Sequence, residues 1–199
     1  MYKVITLSIF LILPAYGQGL SVSPIIKSAV LPGWGEKALD NKKRSRIFMS
    51  LELTLWTLCI GSYTYSNLEE SMYKTFAAEH AGVSSDGKNH KFWVDIGNYT
   101  NLDQHNDEHL RWRLNDELYS KEFDWSWDSK RNMKKYENMR IRSDLMDKTG
   151  QYFIGGIVLN HIVSTINALY LHRLNEKNNI KVQYSSDKYG YKFNLILHL

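Results

Sequence analysis

The chain has 199 residues, enough for one domain or two small ones, and a mean hydropathy on the polar side, which excludes a polytopic transporter built from many spans. Its net charge of +4 comes from 25 basic and 21 acidic residues with both signs interspersed, which is not the footprint of a dedicated nucleic-acid binder. The single cysteine, Cys59, excludes an internal disulfide; set among Trp56, Leu58 and Ile60, it reads as a small buried apolar residue rather than a reactive or lipidated thiol.

Residues 1–17 read as a secretory signal peptide. Met1 to Lys3 form a short positive region, Val4 to Pro14 are almost wholly apolar, and Ala15-Tyr16-Gly17 puts small residues where a signal peptidase reads them. The apolar run is short for a span, which needs roughly 20 residues. Export to the cell envelope is therefore expected, with Gln18 as the first mature residue. An uncleaved N-terminal anchor is the alternative.

Residues 18–46 carry a turn and a basic flank. In Ser28-Ala29-Val30-Leu31-Pro32-Gly33-Trp34-Gly35-Glu36, Pro32 stops a short helix and the two glycines allow a tight turn. Leu31, Pro32, Gly33, Trp34 and Gly35 are thus a structural motif, with Trp34 placed as an interfacial anchor. Lys42, Lys43, Arg44 and Arg46 then read as a membrane-surface flank rather than a phosphate grip.

Two apolar helices are expected, at 47–66 and at 149–172. The first reads IFMSLELTLWTLCIGSYTYS, with Glu52 as its one charge, and Thr149 to Leu171 holds no Asp, Glu, Lys or Arg. Each is long enough to cross a hydrocarbon core of about 30 Å. Aromatics near their ends (Tyr63, Tyr65, Tyr152, Phe153, Tyr170) suit an interfacial belt. Glu52, Asn160 and His161 would be costly in hydrocarbon unless paired, so the expectation is an intramembrane polar pair across packed helices, with Gly155 and Gly156 allowing close approach. The alternative is a soluble bundle with the same two helices at its centre. A cleaved signal would also start the Lys42–Arg46 cluster on the outer side, against the positive-inside tendency. Spanning helices, a shallow hairpin, soluble packing and outer-membrane association all stay open at this level.

The region 67–148 between them is polar, aromatic-rich and helical by pattern. A helix start is expected at Asn67-Leu68-Glu69-Glu70 with a stop near Gly82, then a turn at Ser84-Ser85-Asp86-Gly87. Further helices follow at Phe92 to Tyr99 and Asp103 to Tyr119, and a long one after Asp128, capped by Ser126 or Asp128, runs into the second apolar segment. Trp93, Trp112, Trp125 and Trp127 read as core before they read as a ligand-stacking surface. His105-Asn106-Asp107-Glu108-His109 fits the inverted zincin pattern, in which His105 and His109 would bind zinc and Glu108 act as base. Its flanks are polar where a zinc helix packs into a core, so a solvated helix with titratable histidines is the favoured reading. Residues 173–199 change period: Ile180, Val182 and Tyr184 alternate, a turn follows at Asp187 to Gly190, and Tyr191, Phe193, Leu195, Leu197 and Leu199 alternate again, which predicts a β-hairpin.

The stretches SAVLPGWGE (Ser28 to Glu36) and NHIVSTINAL (Asn160 to Leu169), with the order Trp125, Arg131, Tyr136, Arg142, Ser143-Asp144, resemble an uncharacterised bacterial envelope family with a signal peptide, a SxLLPGxGQ-like turn and paired apolar helices. Glu36 stands where glutamine is commoner in that pattern. The resemblance implies location and architecture and supplies no catalytic residue.

The fold expected is therefore mainly α, two long apolar helices bracketing a polar helical region, with a C-terminal β-hairpin. The expected role is that of a non-enzymatic envelope membrane protein without a cofactor, whose partners are membrane lipids and an envelope protein reached through the hairpin. The alternatives are a zinc-dependent hydrolase and a periplasmic helical binding module.

Overall fold

The structure is a computed structural model that describes residues 22–84, 87–178, 180–187 and 190–197, with side chains described through residue 176. The expected signal peptide lies outside the described residues, as do Ser85 and Asp86 of the expected turn. Two compact units are formed, one of Met1–Arg46 with Val163–Leu199 and one of Ile47–Ile162.

In the first unit, α1 spans Pro24–Val30 and α2 spans Trp34–Ala38. Ser23 caps α1 by accepting from the Ile25 N–H, and Pro24 sits at its first position, where no amide is needed. Leu31, held extended ahead of Pro32, ends α1. Gly33 then adopts φ 91°, a left-handed conformation that favours glycine, and starts α2.

In the second unit the sequence builds two long helices. α3 is a single helix, Lys42–Ala81, and the helix start expected at Asn67 lies in its interior. The polar Asn67-Leu68-Glu69-Glu70 string follows an already running helix, so no new nucleus is required and propagation continues through it. Gly82, with φ 70°, ends it as expected. After α4 (His90–Asn98), α5 (Leu102–Arg111) and two short 3-10 turns at Asn115–Glu117 and Lys121–Phe123, α6 runs from Lys130 to Asn178. Its cap is Ser129, whose Oγ accepts from the Asn132 N–H, rather than Ser126 or Asp128.

α3 and α6 run antiparallel within this unit. On α3 the buried positions Glu52, Cys59, Ser66 and Tyr73 recur every seven residues, as do Tyr136, Ser143, Gly150 and Ile157 on α6. A seven-residue repeat is the seam of a left-handed helix pair. Close approach is set by Gly150, where a methyl group would sit 2.9 Å from the Tyr63 ring, and by Gly156, where one would sit 3.1 Å from Leu55. Gly155 faces open space. Ser66 Oγ donates to the Ser143 carbonyl at 2.8 Å and Ser143 Oγ donates back to the Ser66 carbonyl at 2.9 Å.

Toward the end of α3 the seam turns aromatic. Tyr73 meets Tyr136 and Trp93 edge-on, and Phe92, Ile96, Leu102, Trp125 and Trp127 complete a buried core. Three buried polar tips are satisfied by backbone: Tyr136 O–H donates to the Trp93 carbonyl, Trp125 Nε1 to Tyr99 and Trp127 Nε1 to Ile96. The strand-like passage before α6 also caps α3, because the Ser126 and Asp128 N–H groups donate to the otherwise unpaired carbonyls of Ala81 and His80.

The C-terminal β-hairpin is the correction to the expected fold. Every element with described side chains is helical, and no strand belongs to the folded part that they define. Backbone over Ile180–Asp187 and Gly190–Leu197 is extended and pairs only with itself, a two-stranded ribbon that adds no layer to either unit. Alternation alone specifies extended backbone. A fold component needs a third strand or a packed face, since a lone two-stranded ribbon is marginal in water.

Candidate functional site

Three buried polar clusters are built by these elements, one in the first unit and two in the second. The first is made by the LPGWG turn. Glu36 is fully buried on α2, and its carboxylate accepts from Ser28 Oγ at 2.6 Å, Ser164 Oγ at 3.0 Å and Asn167 Nδ2 at 2.9 Å. The two serines also receive the turn's own backbone: Gly33 N–H donates to Ser164 Oγ and Gly35 N–H to Ser28 Oγ. Arg44 Nη1 donates to Asn167 Oδ1 at 2.6 Å, which orients the amide so that its nitrogen faces Glu36. Pro32, Gly33 and Gly35 are buried, while Leu31 and Trp34 are partly exposed. The motif stretches SAVLPGWGE and NHIVSTINAL thus meet, Ser28 and Glu36 from one, Ser164 and Asn167 from the other. Sequence reasoning singled out the turn but missed Glu36 as its centre. The signal available was an acid three residues after the Pro32-Gly33 pair, and small polar residues at helical spacing in an apolar run.

The second cluster surrounds Glu52, which is 6% exposed. Trp56 Nε1 and Asn160 Nδ2 each donate to its carboxylate at 2.8 Å, and His161 Nε2 lies 3.2 Å away. Asn160 also donates to the Phe48 carbonyl at 3.2 Å. The structure therefore places Glu52, Asn160 and His161 together, with Trp56 as an unforeseen fourth member.

The third cluster lies on α4, α5 and the 3-10 turn after them. Asp95 Oδ2 accepts from Tyr119 O–H at 2.7 Å and from Lys91 Nζ at 3.0 Å, and Lys91 also pairs with Glu117 at 3.0 Å. Burial works against the Lys91 ammonium, but its bonds to Glu117 and Asp95 outweigh that and hold it above the usual lysine range. Burial first, then the bond to Asp95, pushes the Tyr119 phenol up.

His105 is fully buried among Tyr99, Tyr119 and Trp125, and its ring stacks on His109 at 3.9 Å. Asn106 Oδ1 already accepts from the Tyr119 N–H, which assigns it as the acceptor and His105 Nδ1 as the donor to it. His105 Nε2 is left without a hydrogen bond, 3.7 Å from Asp95. His109 Nδ1 donates to the His105 carbonyl at 2.8 Å. The two rings are face to face rather than convergent, and Glu108 lies instead with Tyr99, Trp112 and Leu114 beside His109. Among the described residues no three His, Cys, Asp or Glu side chains could hold a metal ion. Trp93, Trp125 and Trp127 are core, and Trp112 is 72% exposed.

A pH dependence follows from His105. Burial holds its ring below the ordinary histidine range, with the His109 ring and the Lys91 ammonium acting in the same direction and Asn106 and Asp95 against it. A depressed folded value means that the unfolded chain takes up the proton first. The stabilising contribution is complete above the unfolded value of about 6.5 and is lost as pH falls through it. The unfolding temperature of the full chain in detergent should therefore drop between pH 7.5 and 5.5, and His105→Gln should flatten that drop. An equally steep drop in the variant would assign the titration to another group.

Comparison of the chain with family models, with curated proteins and with solved structures finds no match.

Proposed function

We propose that this chain is an integral membrane protein of the cell envelope, in which α3 and α6 hold a helical head at the bilayer surface for a structural or partner-binding role. Two helices are long and apolar enough to cross a membrane. One observation carries the reading beyond that: along these helices the polarity is inside out. In the second unit Glu52, Ser62, Ser66, Ser143 and Asn160 are buried, whereas Leu53, Ile60, Val158 and Leu159 are more than half exposed. In the first unit Ser28, Glu36 and Ser164 are buried, whereas Val163 and Ile166 are exposed. The core helix of a soluble protein is mostly buried, but the most apolar windows of α3 and α6 are only 11% and 28% buried. Water disfavours a broad apolar surface wrapped around a polar seam, whereas hydrocarbon favours it.

The inversion stops within the second unit. Beyond Glu69 and Arg142, which pair at 3.4 Å, the aromatic core is buried in the manner of a water-soluble domain. That level supports placing one membrane surface near there, with the exposed Asp147 and Lys148 of α6 in the interfacial layer just below it. The Ile47 to Ser66 stretch then covers about 30 Å of helix, the thickness of the hydrocarbon core. Envelope location rests on the leader-like residues 1–17 and on the family resemblance, neither of which supplies a catalytic group. Carbonate extraction of membranes from expressing cells should leave the full chain in the pellet. Its complete release into the supernatant would rule out spanning helices.

A further inference from the structure

We propose that an open groove on the helical head, beside the inferred membrane surface, binds the headgroup of an anionic phospholipid; the proposal rests on the membrane reading above. The groove lies between the head portions of α3 and α6, within the second unit, and encloses about 890 Å³. Its charge is one-sided: Arg131, Lys134, Lys135 and Arg142 line it, against the single carboxylate of Glu79. Lys134 is engaged by Glu137 in a surface pair, which holds little energy, whereas Arg142 pairs with the buried Glu69 and stays committed to it. Among the described residues Arg131 and Lys135 have no carboxylate partner, and Lys135 Nζ is held 4.7 Å over the Phe76 ring.

The remaining lining makes the groove amphiphilic. Met72, Phe76 and Met139 give it an apolar floor beneath the cations. A groove for a nucleic acid or free phosphate needs no such floor, whereas a phospholipid presents a phosphate and the first methylenes of its chains together. Position points the same way. Met72 follows Glu69 by three residues, about 5 Å along the helix, which is the depth of the headgroup layer outside the hydrocarbon. Arg142 stands at that level, and Lys135 and Arg131 lie about 10 and 16 Å farther along α6, so a lipid reaches them by rising in the groove with the first methylenes of its chains on Met139, Met72 and Phe76. The rest of each acyl chain would stay in the bilayer.

The test uses the full chain in neutral detergent micelles, titrated with phosphatidylglycerol, with phosphatidylcholine and with inorganic phosphate, and read by unfolding temperature. Saturable stabilisation by phosphatidylglycerol alone is expected. In Arg131→Gln/Lys135→Gln the apparent Kd should rise about 25-fold, since each cation near an anionic surface contributes a factor of about five. The control Arg113→Gln/Lys121→Gln, which removes two cations outside the groove, should bind as the parent does. Equal stabilisation by phosphatidylcholine, or by inorganic phosphate, would overturn the assignment, as would an unchanged Kd in the groove variant. Carbonate extraction separates the two claims. A chain that stays in the membrane pellet but shows no preference for phosphatidylglycerol would sink the groove alone. A chain released by carbonate would sink the membrane reading, whatever it binds in micelles.

Discussion

Gly35→Ala should dislodge the turn between α1 and α2 from the Ser164–Asn167 stretch of α6, and Glu36→Ala should do so by a different route. A methyl group at Gly35 would fall inside the contact distance of the Pro24 carbonyl and of Ser28 Oγ, and its shortest conflict is with backbone. No rotamer change relieves that, so α1 must move off α2. Glu36→Ala leaves the backbone free but strands three buried donors, those of Ser28, Ser164 and Asn167. Each unpaired buried donor costs about 1–3 kcal/mol, and loss of the centre of such a network costs about 3–5 kcal/mol in all. Glu36→Gln should be much milder, because the amide oxygen still accepts while the serine hydroxyls rotate to receive its N–H groups. Hydrogen exchange reads the outcome directly. The Gly33 and Gly35 amides donate to Ser164 and Ser28, so a peptide covering residues 31–39 should be protected in the parent chain and in Glu36→Gln. It should exchange freely in Gly35→Ala and Glu36→Ala. Unchanged protection in both alanine variants would mean that the cluster does not hold the turn.

What was legible in the sequence follows from which signals are local. Ser23-Pro24 and the Leu31-Pro32-Gly33 turn set α1 and α2 through cap, φ and steric rules that act over a few residues. Length and apolarity gave the two long helices, and the lone acid Glu52 gave its partners by elimination, since few polar groups lie in the opposite segment. The seam between α3 and α6 was not legible. These helices are apolar nearly all round, so hydrophobic periodicity carries no phase, and the repeat that defines the interface is one of small and polar residues: Glu52, Cys59, Ser66 against Ser143 and Gly150. Of the two glycines expected to allow close approach, Gly156 does so and Gly155 does not, and Gly150 is the one that was missed. The histidine string misled differently. His105 and His109 have zinc spacing, but their rings are committed to stacking, and the acids beside them, Asp95 and Glu117, come from the elements flanking α5 and are already joined by Lys91. The hairpin expected at the C-terminus is the misreading of alternation, because whether such a segment belongs to the fold depends on partners that alternation does not encode.

The neighbours Glu52 and Leu53 separate the membrane reading from a soluble bundle, because the two solvents order their substitutions oppositely. Leu53 is 71% exposed on α3 and makes up part of the outward apolar face, whereas Glu52 is 6% exposed in the seam. In water, Leu53→Arg changes an exposed side chain and costs within about 0.5 kcal/mol of nothing. In hydrocarbon, the same change places a guanidinium near the middle of a span, at about 2.5–3.5 kcal/mol on the insertion scale, on top of the favourable transfer lost with leucine. That is a factor of about 100 or more in the inserted fraction. Glu52→Leu runs the other way. It makes α3 more apolar and so favours insertion, while Trp56, Asn160 and His161 lose their shared acceptor and the helix pair loosens. The expected result is that Leu53→Arg empties the carbonate-resistant membrane fraction and Glu52→Leu leaves it filled, with a lower unfolding temperature in detergent. A Leu53→Arg protein that accumulates, resists unfolding and partitions under carbonate as the parent does would identify α3 as a helix facing water.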